Sequence, residues 1–295
     1  VFYTSFLFFF AGTIVGYALN NLYIPNKALL IITFSILFGL IFFILKYEII
    51  NGVRALSYLS NRNFLSMVSI SLLVVLFIQY KHNIFKSPYV LIFAAALGLV
   101  LSIMAVGRSG IITSSIMFTA ALIATVSSYK SKPYISKLGI NIIFILLVSI
   151  LMSVIFVIFF DYIYAKLSYL RFSGLTDPAR INIMLQYFES LTFSNFMYGT
   201  NYRETSGFSG NLHNTYLTYH GNYGAFAIII LLMFFYSIVK SAWNKEVFMT
   251  LVFLSFSLRI LTDTGNDFFT HLGIFAIIFY GLRTKTNYTK KFNQS

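Results

Sequence analysis

Apolar runs recur from one end of this chain to the other, and several are long enough to cross the roughly 30 Å hydrocarbon layer of a bilayer as a helix. PYVLIFAAALGLVLSIMAV (88–106) and GINIIFILLVSILMSVIFVIFF (139–160) are two of them. Inside a bilayer every backbone N–H and C=O must find its partner within the protein, so only helices and closed barrels remain. A barrel would be written as alternating segments of about ten residues, and the sequence has none. Charged residues make up 10% of the chain, against roughly a quarter in soluble domains. The sequence therefore predicts an all-α, polytopic membrane protein, with residues 1–295 as a single integral membrane domain.

Nine spans are expected, at 2–19, 28–45, 64–80, 88–106, 111–128, 139–160, 215–239, 247–262 and 269–282. Short loops rich in Lys and Arg stay on the cytoplasmic side. The tail RTKTNYTKK and the loops SYKSKPYISK and KSAWNKE fall on one side when the last five spans alternate. That side is the expected cytoplasm, and the segment 161–214 becomes a long external loop. Counting back places the N-terminus outside. Because the chain opens on Val with no cleavable signal pattern, earlier spans are expected ahead of it.

The absence of cysteine excludes disulfides, thiolate metal sites and a cysteine nucleophile. No internal repeat is visible, which counts against transporter folds built from duplicated halves. On this topology eleven of thirteen lysines are cytoplasmic, whereas Arg54, Arg62, Arg108, Arg171, Arg180, Arg203 and Arg259 are external or near the outer face. Lysine alone satisfies the orientation rule. Arginine offers a planar fork of donors that matches phosphate oxygens and keeps its charge, so outward-facing arginines suggest a phosphate-bearing partner. The alternative is a solvated face on which they pair with Asp161, Asp177, Glu189 and Glu204.

Within the long loop, TDPARINIMLQYFESL carries an N-cap (Asp177), a proline suited to the first helical position (Pro178) and apolar residues at helical spacing: Ile181, Met184, Leu185, Phe188 and Leu191. It predicts a short amphipathic helix on the outer face, with Arg180 in its first turn. That helix either offers its N-terminus and Arg180 to an anion or simply packs on the membrane surface with Arg180 snorkelling. The loop runs on through FMYGTNYRETSGFSGN, with Arg203, to His213.

The chain has no P-loop, no DxD pair and no HExxH helix, and the outer face of a bacterial inner membrane has no ATP. A metal-free and cofactor-free transferase there must draw on an activated lipid, and a lipid diphosphate is the obvious one. Such chemistry needs cations for the leaving diphosphate and a base for the attacking hydroxyl. Arg108, Arg171, Arg180 and Arg203 are candidates for the first role and His213 for the second, with Asn214 or a carboxylate to orient the imidazole. A structural, hydrogen-bonding histidine at a helix start is the competing reading. His220, seven residues on, is expected to be a buried or interfacial polar group.

His213-Asn214, nine residues and then Gly224, at the start of a span after a long external loop, resembles the motif of the O-antigen polymerase and O-antigen ligase superfamily. The segment GRSG (107–110) resembles the upstream motif of that superfamily, and Arg180 falls where its loop carries a functional arginine. Gly107, Asn201 and Ala227 depart from the pattern. The resemblance covers about residues 88–282. It implies a bacterial inner-membrane polymerase of O-antigen, capsular or exopolysaccharide repeat units, with its active site facing the periplasm. His213 would act as base on the acceptor sugar, and the arginines would engage an undecaprenyl-diphosphate-linked oligosaccharide. The implied partners are membrane lipid and a chain-length regulator and flippase of the same pathway, with no nucleic acid.

Three other readings stand beside it. A ligase passing the glycan to lipid A–core shares the motifs. A flippase or transporter would carry ionisable residues deep in its spans, for which Arg259 and Asp263 are the candidates, although four residues apart they suit an intrahelical ion pair better. GRSG also fits the GxSG of rhomboid intramembrane proteases, with His271 as the partner of Ser109.

Overall fold

The structure is a computed structural model that describes residues 2–21, 26–46, 62–105, 108–129, 178–200, 212, 214–262 and 267–283. Among them every element is helical: α1 (Phe2–Asn21), α2 (Asn26–Ile44), α3 (Arg62–Lys81), α4 (Tyr89–Met104), α5 (Arg108–Tyr129), α6 (Pro178–Glu189), α7 (Phe193–Tyr198), α8 (Thr215–Tyr223), α9 (Ala225–Trp243), α10 (Val247–Leu261) and α11 (Phe268–Leu282). Four helices, running Lys27–Ile44, Phe64–Lys81, Ser109–Ser128 and Ala225–Trp243, are long and apolar enough to cross a membrane. Four further apolar helices, Leu7–Asn20, Tyr89–Met104, Val247–Leu261 and Phe268–Leu282, are shorter. The expected span 139–160 lies outside the described residues.

The bundle is built around α3 and α11. Of the apolar stretch of α3, 83% is buried inside the protein, against 17% for α2. Large apolar side chains on α1 (Leu7, Ile14), α2 (Ile31, Phe42) and α9 (Ile229, Leu232, Val239) point outward, as suits helices whose outer faces meet lipid. Between lipid-bathed helices there is little hydrophobic drive, and close van der Waals contact does the work. Accordingly α1 lies along α11 through Gly12 and Gly16, four residues apart. A Cβ on Gly12 would stand 2.6 Å from the His271 Cβ, and one on Gly16 would stand 3.0 Å from the Ala276 nitrogen.

Helix α5 contains many hydroxyls for an apolar helix, and these bond within the turn. Thr113, Ser115, Thr119 and Thr125 each donate to the carbonyl four residues back, at 2.7–3.0 Å. That removes their polar cost in an apolar setting. Ser255 of α10 donates to the Thr113 carbonyl at 2.7 Å, tying α10 to α5.

Contacts between helix ends tell two ends of the bundle apart. At one end Lys81 pairs with Glu246 at 3.1 Å, Tyr280 donates to Glu246 at 2.6 Å, and Arg283 donates to the Asn20 carbonyl. At the other lie the starts of α5, α8 and α11.

The expected span 215–239 is divided. Helix α8 stops at Tyr223, and Gly224, at φ +55° and ψ −140°, turns the chain into α9.

Candidate functional site

The expected amphipathic helix is present as α6, beginning at Pro178, a residue whose fixed φ and missing N–H suit the first helical position. Its buried face differs from the expected stripe. Ile183 and Tyr187 are buried with Leu212, and Leu191 and Leu217 pack against them. Leu185 and Phe188 of the expected stripe are more than half exposed. The helix has apolar residues on two sides, and tertiary contacts choose the side carrying Tyr187, because its hydroxyl has a partner there. Tyr187 Oη and His220 Nδ1 are 2.7 Å apart.

His220 joins three elements. Its Nδ1 meets α6 through Tyr187, and its Nε2 lies 3.0 Å from the Phe196 carbonyl of α7. Only the Nε2–H tautomer donates to that carbonyl, which makes Nδ1 the acceptor of the Tyr187 hydroxyl. Helix α7, capped by Thr192 through the Asn195 N–H, ends at Gly199 with φ +85°. There the Thr200 N–H donates to the Gly221 carbonyl at 2.8 Å. The contact is tight on both sides. A Cβ on Gly199 would lie 2.4 Å from the Gly221 oxygen, and one on Gly224 would lie 2.2 Å from the Met197 oxygen. Both glycines are needed for backbone to meet backbone where α8 breaks.

Asn214 is buried and caps α8. Its Oδ1 accepts from the N–H groups of Tyr216 (2.9 Å) and Leu217 (3.3 Å), and its Nδ2 reaches Met184 Sδ at 3.9 Å. This satisfies two of the donors that a helix start leaves unpaired. Its carboxamide is therefore a helix cap and a link to α6. Whether it also orients His213 is not described, because His213 lies outside the described residues, as do Arg171 and Arg203. Arg180 and Arg108 are placed by their backbone alone, in the first turn of α6 and at the start of α5.

At the same end of the bundle Ser109 and Gly110 of the GRSG segment have a packing role. A Cβ on Gly110 would stand 2.7 Å from the Ser66 Cβ of α3, so this glycine lets α5 approach α3. The Arg259 side chain bonds to both helices. It is fully buried, donating from Nε to Ser66 Oγ at 3.1 Å and from Nη1 to Ser109 Oγ at 3.3 Å. Arg259 therefore turns into the helix bundle rather than outward, and its described hydrogen bonds join α10 to α3 and α5 rather than to a neighbour on its own helix. Asp263, its expected intrahelical partner, lies outside the described residues. The sequence signal for this inward position is an arginine near the end of an otherwise apolar helix.

His271 is also fully buried. Its Nδ1 pairs with the Tyr219 hydroxyl of α8, and its Nε2 has no hydrogen-bonding partner among the described residues. Ser109 meets Arg259 instead, so the described hydrogen bonds hold no serine–histidine pair of the protease kind. Among the described residues no group of His, Asp and Glu gathers as a metal site would require.

Helices α6, α7 and α8 thus form one hydrogen-bonded platform next to the His213 position in the chain, beside a bundle end tied by a buried arginine. Comparison of the chain with protein-family models, with curated proteins and with solved structures finds no match.

Proposed function

We propose that this protein spans the membrane nine times and polymerises polysaccharide repeat units at the outer face of a bacterial inner membrane. It would transfer glycan from an undecaprenyl-diphosphate-linked donor to a sugar hydroxyl. His213 is the base, and the arginines, Arg180 first among them, hold the diphosphate. The observation that supports this reading most is the contact between Met184 and Asn214. Met184 is one helical turn from Arg180, and Asn214 is the chain neighbour of His213, so this contact supports a site that draws on both segments. A lipid-borne donor also fits the exposed apolar side chains of α6 and α7, among them Phe188, Phe193 and Tyr198, as in an interfacial helix pair.

The test is a substitution series at Arg180, read on the chain-length ladder of the cell-surface glycan. Lysine keeps the charge but loses the bidentate fork, so Arg180→Lys is expected to retain part of the polymer and Arg180→Ala much less. Ladders of normal length from Arg180→Ala would end the assignment of this residue to the diphosphate.

The topology has its own check. The chain has no cysteine, so a cysteine introduced at Ser206 should react with a membrane-impermeant maleimide in outer-membrane-permeabilised cells, and one at Ser131 should not. Labelling at Ser131 alone would invert the orientation and remove the periplasmic site.

A further inference from the structure

At the end of the bundle away from the His213 motif, the helix ends of α3, α9 and α11 and the start of α10 enclose a cavity of about 600 Å³ lined by Lys81, His82, Lys240, Asn244, Glu246 and Arg283 among others. At about 1.5 Å per residue, the 19 residues of α9 separate it from Gly224 by about 28 Å. Among the described residues its lining holds three cations and one carboxylate. Glu246 is engaged by Lys81 and by the Tyr280 hydroxyl. Lys240 gives one N–H to the Gly281 carbonyl and lies over the Tyr236 ring, 5.8 Å from its centroid. An ammonium has three donors, so two of those on Lys240 remain open among the described residues.

The positive field is felt by the histidine in the wall. Burial first, and then Arg283 and Lys81, bring the pKa of His82 down to about 3, so the imidazole is neutral at physiological pH and draws no anion of its own. The cavity also sits at a depth where lipid headgroups lie. Trp243, 86% exposed, and Tyr236, 53% exposed, project from the last two turns of α9, and exposed Trp and Tyr at a helix end mark the membrane–water interface. Basic pockets between helices at that level take phosphate headgroups.

We propose that this cavity binds a phosphate-bearing anion, the headgroup of an acidic phospholipid, with Lys240 and Arg283 as its cationic contacts. The site is separate from the glycan-transfer reading and does not depend on it.

Trp243 is the only tryptophan in the chain and the chain neighbour of Asn244, which lines the cavity, so its fluorescence serves as a nearby reporter. The full chain in neutral detergent is titrated at constant ionic strength with phosphatidylglycerol, with phosphatidylcholine and with inorganic phosphate. A saturable change with phosphatidylglycerol alone is the expected result. Saturation by inorganic phosphate at comparable concentration would keep the phosphate site but overturn its lipid source. No saturable change, or an equal one with phosphatidylcholine, would overturn the site itself.

Lys240→Gln is expected to weaken phosphatidylglycerol binding about fivefold, the effect of one cation near an anionic surface. Because it also uncaps the Gly281 carbonyl, Asn244→Glu is the second variant. Asn244 is exposed, and a carboxylate there repels the headgroup without removing a contact of the fold. Unchanged affinity in Asn244→Glu would sink the proposal whether or not Lys240→Gln accumulates.

Discussion

His213→Ala is expected to slow glycan transfer by about 10² to 10⁴, the usual cost of losing a general base, while the protein still accumulates in the membrane. Accumulation is expected because the cap of α8 belongs to Asn214, whose side chain takes the N–H groups of Tyr216 and Leu217. His220→Ala should behave oppositely. It removes the link from α8 to both Tyr187 and the Phe196 carbonyl, so folded protein falls first and activity falls with it.

The products of the His213→Ala strain then separate the two related chemistries. A polymerase mutant leaves surface lipid bearing one repeat unit, because ligation still proceeds. A ligase mutant strands long polymer on undecaprenyl diphosphate and leaves bare core at the surface. Normal ladders with expression confirmed would show that His213 is structural and would remove the central assignment.

Helix positions were legible for several apolar runs with polar ends. The expected spans 111–128, 247–262 and 269–282 correspond to Arg108–Tyr129, Val247–Leu261 and Phe268–Leu282. Pro178 likewise marks the start of α6 at the residue its backbone chemistry favours.

Features that depend on a distant partner were not legible. Ser66 and Ser109, to which Arg259 donates, are 193 and 150 residues away in sequence, and helical periodicity carries no information about them. The face of α6 has the same origin. With apolar residues on two sides of one short helix, the choice was made by the Tyr187 hydroxyl finding His220, 33 residues on. Of the candidate site, Asn214 was found for one role and is seen in another, as a cap. His213, Arg171 and Arg203 lie outside the described residues, and the side chains of Arg108 and Arg180 are not described.

Gly224 belongs to both categories, and its substitution is the most damaging expected for the platform. The motif spacing singled it out, yet the run AFAIIILLMFFYSIV that follows gives no hint that the helix breaks there. The reason lies across the contact with α7. At φ +55° and ψ −140° the backbone is in a region that side chains strain, at a cost of order 1–3 kcal/mol. A Cβ would also stand 2.2 Å from the Met197 carbonyl oxygen and 2.6 Å from the Gly199 nitrogen. Both are backbone atoms, so no rotamer change relieves the clash and α7 itself must move. Gly224→Ala should therefore break the bond from Thr200 to Gly221 and pull the Phe196 carbonyl from His220. The purified protein should melt roughly 5 °C lower or more, with protease access gained around α7. Gly39→Ala is the matched control, since nothing lies within 4 Å of a Cβ there and alanine suits a helix interior better than glycine. If the two variants melt alike, the close approach of α7 to the α8–α9 break does not hold the platform together.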